Sequence, residues 1–133
     1  MDEVTLHVEA EINPTESEVK VKQAIENIFG NIPTQTEPLR KANLLVAEAK
    51  GQEALEQFHN LLRRERIRSA ARPVLFEGTD KKTISFCLNK QVAYAGHISF
   101  SKEVAESPLG PIKVKITCEK PRELIEWLAP RIA

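Results

Sequence analysis

The sequence predicts an α+β fold, a mostly antiparallel sheet with helices packed on one face, in the order β-α-β-α-α-β-β-β-α. Three observations lead there. Four segments alternate apolar and polar residues, four others place apolar residues at helical spacing, and the last three strands follow one another with no helix between them. The chain has 133 residues, near the usual size of one domain, so residues 1–133 are read as a single α+β domain. A chain of this length buries enough surface to fold without disulfides or a metal.

Val4 to Ile12 is apolar at even positions and mostly polar at odd ones, which is a half-buried strand. Asn13-Pro14 ends it. Thr15 and Glu18 have capping-box spacing, and Val21, Ile25, Ile28 and Phe29 follow at helical spacing up to a closing Gly30. Residues 31–41, with Pro33 and Pro38, read as irregular or edge-like, and Leu44 to Ala49 as the second strand. Leu55, Phe58, Leu61 and Leu62 mark an amphipathic helix, and Ile67, Ala70, Ala71 and Val74 a second one out of phase with the first. A break is therefore expected at Arg63 to Arg66. The apolar sets Ile84-Phe86-Leu88, Tyr94-Ile98-Phe100 and Ile112-Val114-Ile116 give three strands. Pro121 opens a last helix that buries Leu124, Ile125, Trp127 and Leu128.

The 19 basic and 19 acidic residues cancel, and a neutral chain argues against a uniformly basic nucleic-acid binder. The cancellation is uneven. Residues 1–38 hold eight acidic groups against two lysines, a balance of −6, and the other 95 residues hold 17 basic against 11 acidic groups, a balance of +6. The densest basic run is Arg63-Arg64-Glu65-Arg66-Ile67-Arg68-Ser69-Ala70-Ala71-Arg72, five arginines with one acid. Arginine's planar fork suits phosphate, although such a run also serves as a plain solvated helix face. Arg64, Arg68 and Arg72, four residues apart, are expected to form one exposed row.

The far side of the sheet would be polar, with His7, Glu9 and Glu11, Cys87 and Asn89, His97, and Lys113 and Lys115. Cross-strand pairing of those glutamates with the lysines would explain such a face without any ligand. Cys87 and Cys118 fall on opposite faces, so no disulfide is expected between them, and two thiols suit a reducing compartment. No C-x-x-C, H-x-x-x-H, glycine-rich phosphate loop or nucleophile elbow is present, so no metal, cofactor or catalytic residue is assigned. Few aromatic residues are available for base stacking, which leaves backbone and shape to carry any RNA recognition. The stiff Glu106-Ser107-Pro108-Leu109-Gly110-Pro111-Ile112 connection reads equally as a contact surface or as a turn that fixes strand register. The Met1-Asp2-Glu3 opening lacks the order of a signal peptide and no apolar run has membrane-spanning length, so a cytoplasmic protein without membrane contact is expected.

Four segments in this order carry a family resemblance: Val4 to Ile12 with Asn13-Pro14-Thr15-Glu16, Leu61 to Arg72, Leu88-Asn89-Lys90-Gln91, and Glu106 to Ile112. Together they resemble the archaeal Uncharacterised Protein Family 0201 over nearly the whole chain. That resemblance implies an archaeal cytoplasmic protein, grouped with predicted RNA-binding proteins and similar in fold to the large-subunit ribosomal protein that binds 5S rRNA. It supplies no catalytic residue. The leading reading is a non-catalytic protein that binds structured RNA through phosphates, using Arg63, Arg64, Arg66, Arg68 and Arg72, helped by Lys90 and by Lys113 and Lys115. The alternative is a structural or assembly protein, a homodimer whose acidic start meets the basic region of its partner. A small-molecule enzyme using Cys87, His97 and His7 ranks last.

Overall fold

Alternation in Thr5–Ile12 (β1) gives it one buried and one open side: Leu6, Val8, Ala10 and Ile12 point into the core, while Thr5, His7, Glu9 and Glu11 point away. The structure is a computed structural model that describes residues 3–101 and 110–131. β1 lies inside the sheet, between Asn43–Lys50 (β3) and Ile112–Thr117 (β7). Beyond β3 stands the edge strand Thr34–Pro38 (β2), and beyond β7 stands Thr83–Leu88 (β5). The far edge of β5 takes two short strands, Thr79–Asp80 (β4) and Phe100–Ser101 (β6). The order is β2-β3-β1-β7-β5-β4, with β6 also on β5, and all these pairings are antiparallel.

The apolar side of this sheet is covered by Glu18–Phe29 (α1), Glu56–Arg64 (α2), Arg68–Glu77 (α3) and Pro121–Leu128 (α5), and a short helix Lys90–Tyr94 (α4) packs on α1. A 3-10 turn, Gln52–Leu55, leads into α2. Phe58 of α2 is fully buried, with its ring centroid 5.4 Å from that of Phe29 in α1 and 5.5 Å from that of Phe86 in β5. Gln57 holds α2 to the end of α1, its amide donating to the Glu26 and Asn27 carbonyls at 2.9 Å each. The Glu26 carbonyl also accepts from the Gly30 N–H at 2.8 Å, so the side chain joins the bond that closes α1. Among the described residues, no helix is long and apolar enough to cross a membrane.

The predicted fold class and order of elements hold, with differences of detail. The edge-like stretch becomes β2. Of the segment Tyr94-Ile98-Phe100, only the end is strand, because the Asn89 side chain accepts a hydrogen bond from the Val92 N–H and caps α4, and Gly96 then turns the chain at φ 90°. His97 therefore leaves the sheet face on which alternation had placed it. The cap of α1 is Ser17, which accepts from the Lys20 N–H, and not Thr15. Of the proline-bracketed connection, residues 106–109 lie outside the described residues.

The cap falls at Ser17 because Glu16 closes residues 13–16 into a turn before the helix starts. Its carboxylate accepts from the Asn13 N–H at 3.1 Å and the Asn13 side-chain amide at 2.7 Å, holding residues 13–16 in a turn. The same carboxylate meets the Lys90 ammonium at 3.0 and 3.2 Å, and Lys90 also donates to the Glu11 carbonyl at 2.8 Å. Lys90 is only 5% exposed. Burial resists ionisation of Glu16, but the Asn13 donors and the ammonium outweigh it and hold the carboxyl below its ordinary value of 4.5. A carboxyl with a lowered folded value stabilises fully above that ordinary value, and the contribution is lost as pH falls through the folded one. Urea unfolding should therefore show Lys90→Met destabilised by about 3 kcal/mol at neutral pH, since it strands the Glu16 carboxylate, with a smaller deficit near pH 3.

Gly78 closes α3 against the sheet so tightly that a Cβ there would stand 1.9 Å from the Ser85 carbonyl oxygen, while the Ser85 N–H donates to the Gly78 carbonyl at 2.9 Å. Backbone faces backbone, so neither side can yield cheaply. Gly78→Ala should cost about 3 kcal/mol in the same measurement, whereas Gly51→Ala, whose Cβ meets nothing within 4 Å, pays only for its left-handed φ of 94°.

Candidate nucleic-acid interface

The break between α2 and α3 is a closed helix ending. The Ile67 N–H donates to the Leu62 carbonyl at 3.2 Å and the Arg66 N–H to the Arg63 carbonyl at 3.2 Å. This is the Schellman pattern, and the residue it places in the left-handed conformation is Arg66, at φ 59°. Glycine is the usual occupant of that position, because a Cβ is strained there. Ile67 turns back to pack against the core, which leaves Arg63, Arg64 and Arg66 exposed around the corner.

Glu65, the one acid in the run, faces away from these arginines. Its carboxylate bonds the His97 ring at 3.0 and 3.1 Å and accepts from the Ile98 N–H at 3.4 Å, tying the corner to the loop after α4. Arg68, at the start of α3, is partly buried, and its Nε has no hydrogen-bond partner among the described residues. No ion pair among the described residues joins the acidic first 38 residues to Arg63, Arg64, Arg66 or Arg68. Among the described residues, the acidic start meets the basic remainder through Glu16 and Lys90, and not through these arginines.

Four of the expected placements change. Arg64, Arg68 and Arg72 do not form one row, since the corner turns the chain between Arg64 and Arg68. Arg72 is held inward: it donates to the Ala129 carbonyl at 3.1 Å, pairs with Glu126 of α5, and lies 5.0 Å above the Phe76 ring. The hydrogen bond to Glu126 raises the Arg72 pKa, and the same bond lowers that of Glu126. Lys90 is buried against Glu16 and cannot reach phosphate beside the strand end. Lys113 and Lys115 are exposed, but on the side of the sheet away from the helices, so they do not join the arginines.

On that far side, register places Lys113 opposite Glu9, as alternation suggested, whereas Lys115 is opposite His7 and not a glutamate. His7 bridges Glu48 at 2.9 Å and Glu9 at 3.2 Å. Partial burial disfavours its charged form, but the two carboxylates outweigh that and raise its pKa above 6.5. Cys87 is opposite Lys113, one strand beyond Glu9, while His97 is at the arginine corner. The three side chains considered for catalysis are thus not brought together. Cys118 is buried in the core, on the other face from Cys87, and burial raises its thiol pKa. Among the described residues no three His, Cys, Asp or Glu side chains converge as a metal site.

Trp127 of α5, expected to be buried with Leu124, Ile125 and Leu128, is only half-buried and stacks on His59 of α2 at 4.3 Å, one helical turn before Arg63. The structure adds His59 and Arg122, which sequence spacing did not single out. Arg122 lies 5.9 Å from the Phe76 ring, on which Arg72 also rests. The spacing of Arg122 and Glu126, four apart on a helix, was the available signal.

A family model described as RNA binding matches residues 5–118. The chain is 45% identical to a UPF0201 protein of Sulfurisphaera tokodaii over 95% of its own length and 87% of that protein's. It is 41% identical to one of Saccharolobus solfataricus, over 98% and 90%. Among solved structures, the UPF0201 protein of Methanococcus jannaschii superposes with a TM-score of 0.85 at 32% identity, covering 97% of this chain and 95% of that one. A DUF54 protein of Archaeoglobus fulgidus shares the fold at a TM-score of 0.72 and 20% identity, covering 93% and 96%. With a match of this extent in sequence and fold, the chain belongs to the UPF0201 family.

Proposed function

We propose that this protein is a non-catalytic binder of structured RNA that grips phosphates at the α2–α3 corner through Arg63, Arg64, Arg66 and Arg68. The observation that carries the reading is Arg66: a long cation held in a left-handed conformation where glycine would be less strained, beside a lone acid bonded elsewhere. Residues held in sparsely populated conformations cluster at functional sites. The RNA-binding description of the matching family model supports the same partner. A corner presenting arginines without an exposed Phe, Tyr or Trp ring suits the backbone of a folded RNA better than splayed single-stranded bases. Resemblance to the fold that binds 5S rRNA makes ribosomal RNA the natural first probe, with transfer RNA beside it. Lys113 and Lys115 would touch only an RNA that reaches round to the far face.

Four phosphate contacts imply that log affinity falls with log salt at a slope of about −3. Filter binding to ribosomal and transfer RNA from 50 to 300 mM salt measures it. Arg63→Gln with Arg64→Gln should roughly halve that slope. Arg66→Gly relieves backbone strain and should raise stability by up to about 1 kcal/mol while weakening RNA binding, so that the two readouts move in opposite directions. No binding at low salt, or a slope indifferent to all three arginines, would reject the corner as an RNA site.

A further inference from the structure

We infer that Glu126 occupies the place of an RNA phosphate, and that Arg72, Arg122 and the Phe76 ring beneath them form a second anion site that Glu126 fills when RNA is absent. The inference rests on the RNA-binding reading and extends it from the corner onto α5. Arg72 has the features of a phosphate-binding arginine. Its guanidinium is supported from below by the Phe76 ring at 5.0 Å, fixed at one end by the Ala129 carbonyl, and joined to an oxyanion at the other. The oxyanion is only the Glu126 carboxylate, 53% exposed, on a surface helix.

Arg122, exposed and one helical turn before Glu126, approaches the same ring from α5 at 5.9 Å. Glu126 thus stands beside Arg72 and one helical turn from Arg122. The patch continues into the corner through α5 itself. Glu126 and Trp127 are neighbours, one held by Arg72 of α3 and the other stacked on His59 of α2, and Arg63 stands a turn beyond His59. A phosphate run leaving the corner across α5 would therefore meet this site next. An exposed carboxylate can swing aside at little cost, so an incoming phosphate takes over the fork that Glu126 has kept oriented.

Titration with unfractionated transfer RNA at several salt concentrations tests it, on the full chain. Glu126→Gln removes the competing charge while retaining a side chain that can accept from Arg72. It should bind about fivefold tighter near 0.1 M salt, with a slope steeper by about one. Arg122→Gln, at an exposed position whose loss leaves the Arg72–Glu126 pair intact, should bind about threefold weaker with a shallower slope. Unchanged or weaker binding by Glu126→Gln, or unchanged binding by Arg122→Gln, overturns the second site while wild-type binding leaves the corner standing. A wild-type chain that binds no RNA removes both.

Discussion

One apolar face of the sheet must be covered, and Phe58 stands at the middle of the cover. With no exposure and rings on either side, it fixes α2 between α1 and β5, and Phe100 continues the contact edgewise at 5.7 Å from Phe86. Once α2 is seated there, its C-terminus can lie in only one place. The arginine corner is the exposed end of a helix whose apolar residues Phe58, Leu61 and Leu62 are committed to the core, so its direction is inherited from packing.

Because the helices of the cover lie on one side, the molecule has two unlike surfaces. The sheet's open face carries opposites side by side, with His7 between Glu48 and Glu9, and Glu9 opposite Lys113. On the helical layer two acids beside the arginines are committed: Glu65 serves His97, and Glu126 serves Arg72. Neutrality overall thus conceals a difference in how charge is used. Local pairing satisfies the sheet face, whereas the corner keeps its cations available to solvent.

Much of this was legible in the chain. Alternation located β1, β5 and β7 and assigned their faces, because a period of two survives any tertiary context that buries one side. The phase break between Leu62 and Ile67 located the corner, and Pro121 the start of α5. What stayed hidden depended on partners distant in sequence. Lys90 is 74 residues from Glu16, and no local pattern announces that this lysine is drawn into the interior. Arg72 and Glu126 are 54 apart. The Tyr94 to Phe100 stretch misled for a different reason: an asparagine cap and a glycine turn fit a half-buried helix as well as alternation fits a strand. Long-range pairing, not propensity, decided which basic residues face solvent.

Among the described residues, the sheet is two antiparallel halves, β2-β3-β1 and β7-β5 with its short edge strands, joined where β1 meets β7. The first half is complete by Lys50, but the seam needs Ile112–Thr117, the last of the described strands. During synthesis, one edge of β1 therefore waits unpaired while some 60 further residues emerge, for about 3–12 s at ordinary elongation rates. Over that interval the nascent chain displays an open strand edge bearing His7, Glu9 and Glu11. Their charges are the kind that discourage one such edge from joining another.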